Sequence, residues 1–340
     1  MKMPLWLGLA MTLAVGAQGA HAQNAAGPSG LRIVSRIAGP DGGWDYASFD
    51  SVRRRVLIAH GTQVMTIDAD TGRVNPDFAP GDHLHEVLAP PGTNVVVTTN
   101  SGDSSARILD ARDGRLLTSI PTAKDTDGAV YDPATGLVLV IDGDSGEVTL
   151  VDPRARTSVG SIPIGDALEF GAVDGHGRFF VALVRKNAVA VVDIARRKVV
   201  ATYPMPGCEH PTGLAYVAGR RLIAACGVGE AKILDADSGR EIASFKIGAF
   251  PDSVLYDPVR AVAYIPSAMS GTLAVIALSG PGDNTIIDTV PTQLGARTGA
   301  VDPKTGAIYL PTAQYMLPAP AGKRPQPKPG TFEVLVLNRR

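Results

Sequence analysis

The chain has 340 residues, 45% of them apolar but only 5% aromatic, with 38 glycines and 26 prolines. Its 32 basic and 33 acidic residues leave a formal charge of -1, so the overall field does not favour a nucleic acid. After the N-terminal apolar run, no stretch approaches the roughly 18 apolar residues that a spanning helix needs.

The first segment, Met1–Ala22, has Lys2, an apolar run from Pro4 to Ala17, and then Ala20-His21-Ala22. This is the pattern of a secretory signal with cleavage after Ala22. It predicts export to the periplasm and no membrane span once the signal is removed. Gln23–Gly30 lacks apolar periodicity and reads as a flexible leader. Leu31–Ile37 (LRIVSRI) is a strand with no evident neighbour in sequence.

From there to residue 340 one grammar repeats. In Val130–Ile164 an apolar run ends at Tyr131-Asp132-Pro133, and Leu137–Ile141 forms a second strand. After a polar loop, Asp142–Gly146, come strands Val148–Val151 and Thr157–Ile164, separated by a turn at Asp152–Arg156. Four short runs with Gly, Pro, Asp and Ser between them make one four-stranded antiparallel sheet.

Two landmarks count the repeats. One closes the innermost strand, at Asp50, Pro90, Asp132, Asp174, Val217, Asp257 and Asp302. The other closes the third strand, at Asp68, Asp110, Asp152, Asp193, Asp235, Ala277 and, after an insertion, Asn338. A period of about 42 residues is that of a propeller blade. The prediction is an all-β, seven-bladed β-propeller over 31–340. Leu31–Ile37 supplies the outer strand that the C-terminal blade lacks, beside Thr331–Leu337. The insertion, 314–330 (QYMLPAPAGKRPQPKPG), is too rich in proline for regular strand and suggests polyproline II. It joins the second and third strands, and so belongs on the same face as the loops that lead into each blade. It is either a surface insertion or a lid.

The leading loops converge on the central channel. Five residues before each inner-strand landmark stand Asp45, His85, Asp127, Glu169, Thr212, Asp252 and Arg297. Ten residues after each landmark, where the second strand returns to the same face, stand His60, Asn100, Asp142, Val184, Gly227, Ser267 and Thr312. Four carboxylates pointed at one axis repel one another, which raises their pKa values or recruits a cation. Asp127, Glu169 and Asp252 with His85 are the candidate metal ligands, and Asp45 and Asp142 are secondary candidates. Oxygen donors alone suit Ca²⁺ or Mg²⁺, and His85 or His60 would admit a transition metal. Arg297 offers a different use, holding an anionic ligand. Plain solvated polarity at a wet channel mouth is the alternative to any ligand.

Cys208 and Cys226 are the only cysteines and fall at the same end of the fifth blade. In an oxidising compartment this predicts a disulfide. Gly143-Asp144-Ser145-Gly146 imitates a serine-protease signature without a paired histidine. Asp68–Gly72 and Asp235–Gly239 imitate calcium loops but fall where hairpin turns are due.

Several stretches carry a family resemblance: WDYASFD (Trp44–Asp50), RRRVLIAHGTQV (Arg53–Val64), EFGAVDGHGRFFV (Glu169–Val181), CEHPTGLAYVAGRRLIAAC (Cys208–Cys226), PDSVLYDP (Pro251–Pro258) and GARTGAVDPKTGAIYLPTA (Gly295–Ala313). In their order they resemble the YVTN-type (YncE-like) periplasmic β-propeller repeat proteins. The resemblance implies a seven-bladed fold and export, and associates the chain with either nucleic-acid binding or metal or cofactor uptake. His210 and Ala182-Leu183-Val184 depart from the family pattern.

Together these readings point to a binding or scaffold module that takes a divalent metal ion or small molecule at the channel mouth, with a periplasmic protein as a further partner class. The alternatives are a metal-dependent lactonase or lyase with His85 or His60 as general base, and a nucleic-acid-binding propeller.

Overall fold

The computed structural model describes residues 27–316 and 325–339. The predicted signal, the first half of the leader and the tip of the proline-rich insertion lie outside the described residues. Within them are seven antiparallel sheets of four strands each, arranged as a β-propeller. Six blades are continuous in sequence. The seventh comprises Ala300–Val301, Ile308–Thr312 and Glu333–Asn338, with Arg32–Ala38 as its outer strand. Arg36 pairs with Leu335 and Ala38 with Glu333, so the two ends of the chain close the ring and cover an otherwise open edge. The leader is tied down where it is described: Ser29 Oγ donates to Asp288 at 2.6 Å, and Gly30 N donates to Gly27 O.

The core is divided into seven clusters, one between each pair of neighbouring blades. The second and third strands are largely buried on both faces, which is why they are rich in Val, Ile, Leu and Ala. Arginines reinforce several of the seams, three of them from the start of a second strand. Arg55, Arg178 and Arg221 open the second strands of blades 1, 4 and 5. Each donates to a carbonyl just past the third strand of the next blade, at Ala111, Ala236 and Leu278 respectively. Arg54 reinforces the seam between blades 1 and 7 by clamping Asp302 with two 2.7 Å bonds.

Cys208 and Cys226 form a disulfide with Cα atoms 5.1 Å apart. The flanks of the proline-rich insertion do not continue as polyproline II. They pair with each other instead, with Met316 N donating to Gln326 O and Lys328 N to Gln314 O. Tyr315 at their base lies 6.5 Å from the Trp44 ring.

Candidate functional site

The inner strands are short, and blades 2 to 5 each break register at the same place. The irregularities fall between Leu84 and Val87, Thr126 and Ala129, Leu168 and Gly171, and Pro211 and Leu214. Each skips two residues of the ladder, a bulge that re-aims the side chains it releases. The residues released are His85-Glu86, Asp127-Gly128, Glu169-Phe170 and Thr212-Gly213. In blades 1, 6 and 7 the corresponding Asp45, Asp252 and Arg297 precede the paired strand altogether.

All seven first-position residues are half-buried, and most are tied to one another across blades. His85 Nδ1 lies 2.7 Å from Asp45 Oδ2 and 3.4 Å from Asp127 Oδ1. Arg297 donates from Nε to Asp252 Oδ2 at 2.8 Å, from Nη2 to Trp44 O at 2.9 Å, and approaches Asp45 Oδ1 at 3.5 Å. Thr212 Oγ1 donates to Pro251 O at 2.8 Å, so it fastens the next blade's leading loop.

The second-position residues form the floor. Tyr46 of blade 1 and Phe170 of blade 4 meet with ring centroids 4.7 Å apart. These blades face each other around the ring, so the contact reaches across the channel. Gly128 makes room for it, since a Cβ there would lie 3.1 Å from the Phe170 ring.

Charge at the mouth is poorly compensated. Burial, then the Asp45 carboxylate, push Asp127 up to about 7, with His85 opposing. Burial and then the Asp127, Asp252 and Asp45 charges hold Glu169 well above the usual carboxylate range. Tyr46 is raised by burial and by the same four carboxylates. Burial disfavours charge on His85, yet the Asp45 hydrogen bond and the Asp127 charge outweigh it and raise its pKa. Glu86, 4% exposed, is likewise held up by burial and by Asp45 and Asp127.

Among the described residues, one group offers donor atoms close enough to share an ion. Single ligand atoms of Asp45, His85 and Asp127 all lie within 4.8 Å of one another. The expected set of His85, Asp127, Glu169 and Asp252 is therefore revised. Asp45 moves from secondary to primary, Asp252 is held by Arg297, and Glu169 contributes charge to the mouth without joining that group.

The second-strand series is also corrected. His60 is buried against Phe332 at 4.5 Å beneath the leading loop of blade 1, and burial lowers its pKa. Asp142 is fully buried and accepts from Thr149 Oγ1 at 2.7 Å. Asn100 Oδ1 accepts from Asp82 N, and Thr312 Oγ1 donates to Leu294 O. These residues fasten loops or blade interiors and do not line the mouth. Two residues absent from the predicted site do belong to it: Ser101 Oγ lies 3.0 Å from His85 Nε2 and 2.8 Å from His83 Nδ1.

No family model matches the chain, and no curated protein matches it. Solved structures do. A chain of hydrazine synthase from Kuenenia stuttgartiensis is 15% identical with a TM-score of 0.70, covering 86% of this chain and 95% of that one. A chain in the crystal structure of the mitotic checkpoint complex is 12% identical with a TM-score of 0.72, covering 98% of each. The U3-55K structure is 10% identical with a TM-score of 0.75, covering 92% of this chain and 99% of that one. At such identities the likeness carries the fold alone. The YVTN-type resemblance is supported as far as the propeller and no further.

Proposed function

We propose that this chain is an exported binding module whose channel mouth takes a divalent cation between Asp45, His85 and Asp127. The observation that carries the reading is the convergence of those three donors in a half-buried setting whose carboxylates lack sufficient positive charge. A cation placed there would offset the burial and the mutual repulsion that raise the pKa values of Asp127 and Glu169. The Tyr46–Phe170 floor confines the site to the mouth. The Cys208–Cys226 disulfide fits an oxidising compartment such as the periplasm.

His60 gives no support to a hydrolytic or lyase reading as general base, because it lies against Phe332. Nucleic acid is opposed by a mouth whose carboxylates outnumber its one arginine.

The test is elemental analysis of protein purified from periplasm without chelator, followed by calorimetry on chelator-treated protein. The expected result is one divalent ion per chain in the wild type and loss of binding in Asp45→Ala/Asp127→Ala. A wild type that binds no divalent cation removes the reading, and unchanged binding by the double variant places the site elsewhere.

A further inference from the structure

Behind the three candidate ligands, His85 continues into a chain of hydrogen-bonding groups that the cation reading does not yet use. On one side of the ring, Nδ1 faces Asp45 at 2.7 Å and Asp127 at 3.4 Å. On the other, Nε2 lies 3.0 Å from Ser101 Oγ, which lies 2.8 Å from His83 Nδ1. The geometry of this chain is supported from outside it. Ser101 N donates to His83 O at 3.1 Å, and His83 adopts a left-handed backbone with φ of 53°, uncommon for a residue other than glycine. The two imidazoles meet edge to face with centroids 4.9 Å apart.

We infer that the cation selected here is a transition-metal ion of the zinc class and not an alkaline-earth ion, with Ser101 and His83 as positioning residues that make His85 its nitrogen ligand. This rests on the cation reading above and names the class of ion.

At 2.7 Å from a carboxylate oxygen, Nδ1 is a proton-bearing donor, because two lone pairs at that distance would repel. Above its raised pKa His85 is neutral and accepts at Nε2 from the Ser101 hydroxyl, and Ser101 Oγ accepts from His83 Nδ1–H. To bind a metal through Nδ1, the ring must present a lone pair there and carry its proton on Nε2. Ser101 Oγ can accept that new N–H bond when its own hydrogen turns to His83 Nδ1 at 2.8 Å, in preference to the His83 carbonyl at 3.4 Å, and His83 then carries its proton on Nε2. All the donors and acceptors reverse together. The proton lost from His85 Nδ1 leaves to water, and one arrives from water at His83 Nε2. Neither imidazole changes charge.

Such an outer partner, fixing the tautomer of a ligating histidine, is a general feature of histidine metal sites. It has value only for an ion that prefers nitrogen. Imidazole suits zinc and its first-row neighbours, whereas Ca²⁺ and Mg²⁺ are bound by oxygen and would use Asp45 and Asp127 without His85.

The order Asp45–His85–Ser101 also matches the acid, base and nucleophile of a serine hydrolase. That use makes a separate prediction, included in the test.

The experiment uses chelator-treated full-length protein titrated with ZnCl₂ and with CaCl₂, comparing wild type, Ser101→Ala, Ser101→Thr and His83→Ala. Wild type should prefer zinc by about 100-fold or more. Ser101→Ala and His83→Ala should weaken zinc binding by about 10- to 100-fold with calcium unchanged, and Ser101→Thr should retain most of the zinc affinity. In imidazole ¹⁵N NMR at a pH above the His85 pKa, His85 of the metal-free wild type should carry its proton on Nδ1, move it to Nε2 on adding zinc, and lose that definition in Ser101→Ala. Equal affinity for the two ions, or equal loss of both in Ser101→Ala, overturns the inference and leaves the cation reading standing. A wild type that binds neither ion overturns both. Labelling of Ser101 by a fluorophosphonate probe overturns the positioning role in favour of a nucleophile.

Discussion

Replacing Asp142 with asparagine isolates the cost of a buried carboxylate in this fold. Asp142 is 0% exposed. Burial pushes its carboxyl up to about 6, against the opposing hydrogen bond from Thr149. An unfolded aspartate titrates near ~4, so the folded protein holds this proton more tightly than the unfolded chain does. The stability contributed by the proton is fully present below about pH 4 and is lost as pH rises through about 6. A difference of about two pH units at ~1.4 kcal/mol each gives about 3 kcal/mol lost by the wild type above the window. Asp142→Asn keeps the size and the partner for Thr149 but never ionises. It should match the wild type in metal-free urea unfolding at about pH 4 and exceed it by about 2–3 kcal/mol at about pH 8. A variant less stable than wild type at pH 8, or a difference that does not change with pH, would refute the reasoning. Either outcome would mean that the carboxylate is stabilised by its surroundings and not merely tolerated.

Cys208→Ser/Cys226→Ser should lose about 3 kcal/mol in the chain-entropy treatment of a loop of this length, measured by urea unfolding under non-reducing conditions. Deleting residues 23–38 removes the outer strand of blade 7 and buried Leu31, and should produce concentration-dependent aggregation on size-exclusion chromatography. Phe170→Ala removes one half of the contact across the axis. It should lower stability by about 2–3 kcal/mol, less than a fully buried phenylalanine because Phe170 is only half-buried, and should open the channel to a small fluorescent quencher that the wild type excludes from Tyr46.

The number of blades, their strand order and the closure of the ring were legible from the sequence because each depends on local rules. Hydrogen-bond ladders and tight turns recur at a fixed interval, and Asp132 and its counterparts mark the turns by binding the backbone a few residues on. The pairing of Cys208 with Cys226 was legible for the same reason, since both lie within one repeat. Strand counting also found the ring of Asp45, His85, Asp127, Glu169, Asp252 and Arg297.

Which of those residues meet was decided by the tertiary structure. Simple alternation along a strand places Glu86 and Phe170 on the face opposite His85 and Glu169. The bulges break that alternation, and nothing in the apolar pattern announces them. Tyr46 and Phe170 belong to facing blades, and only closure of the ring brings them together. His60 and Asp142 share one position in the repeat with Asn100 and Thr312, yet that position turns inward to hold loops and strand interiors. Its polarity serves buried hydrogen bonds, which sequence alone does not distinguish from the polarity of an open site.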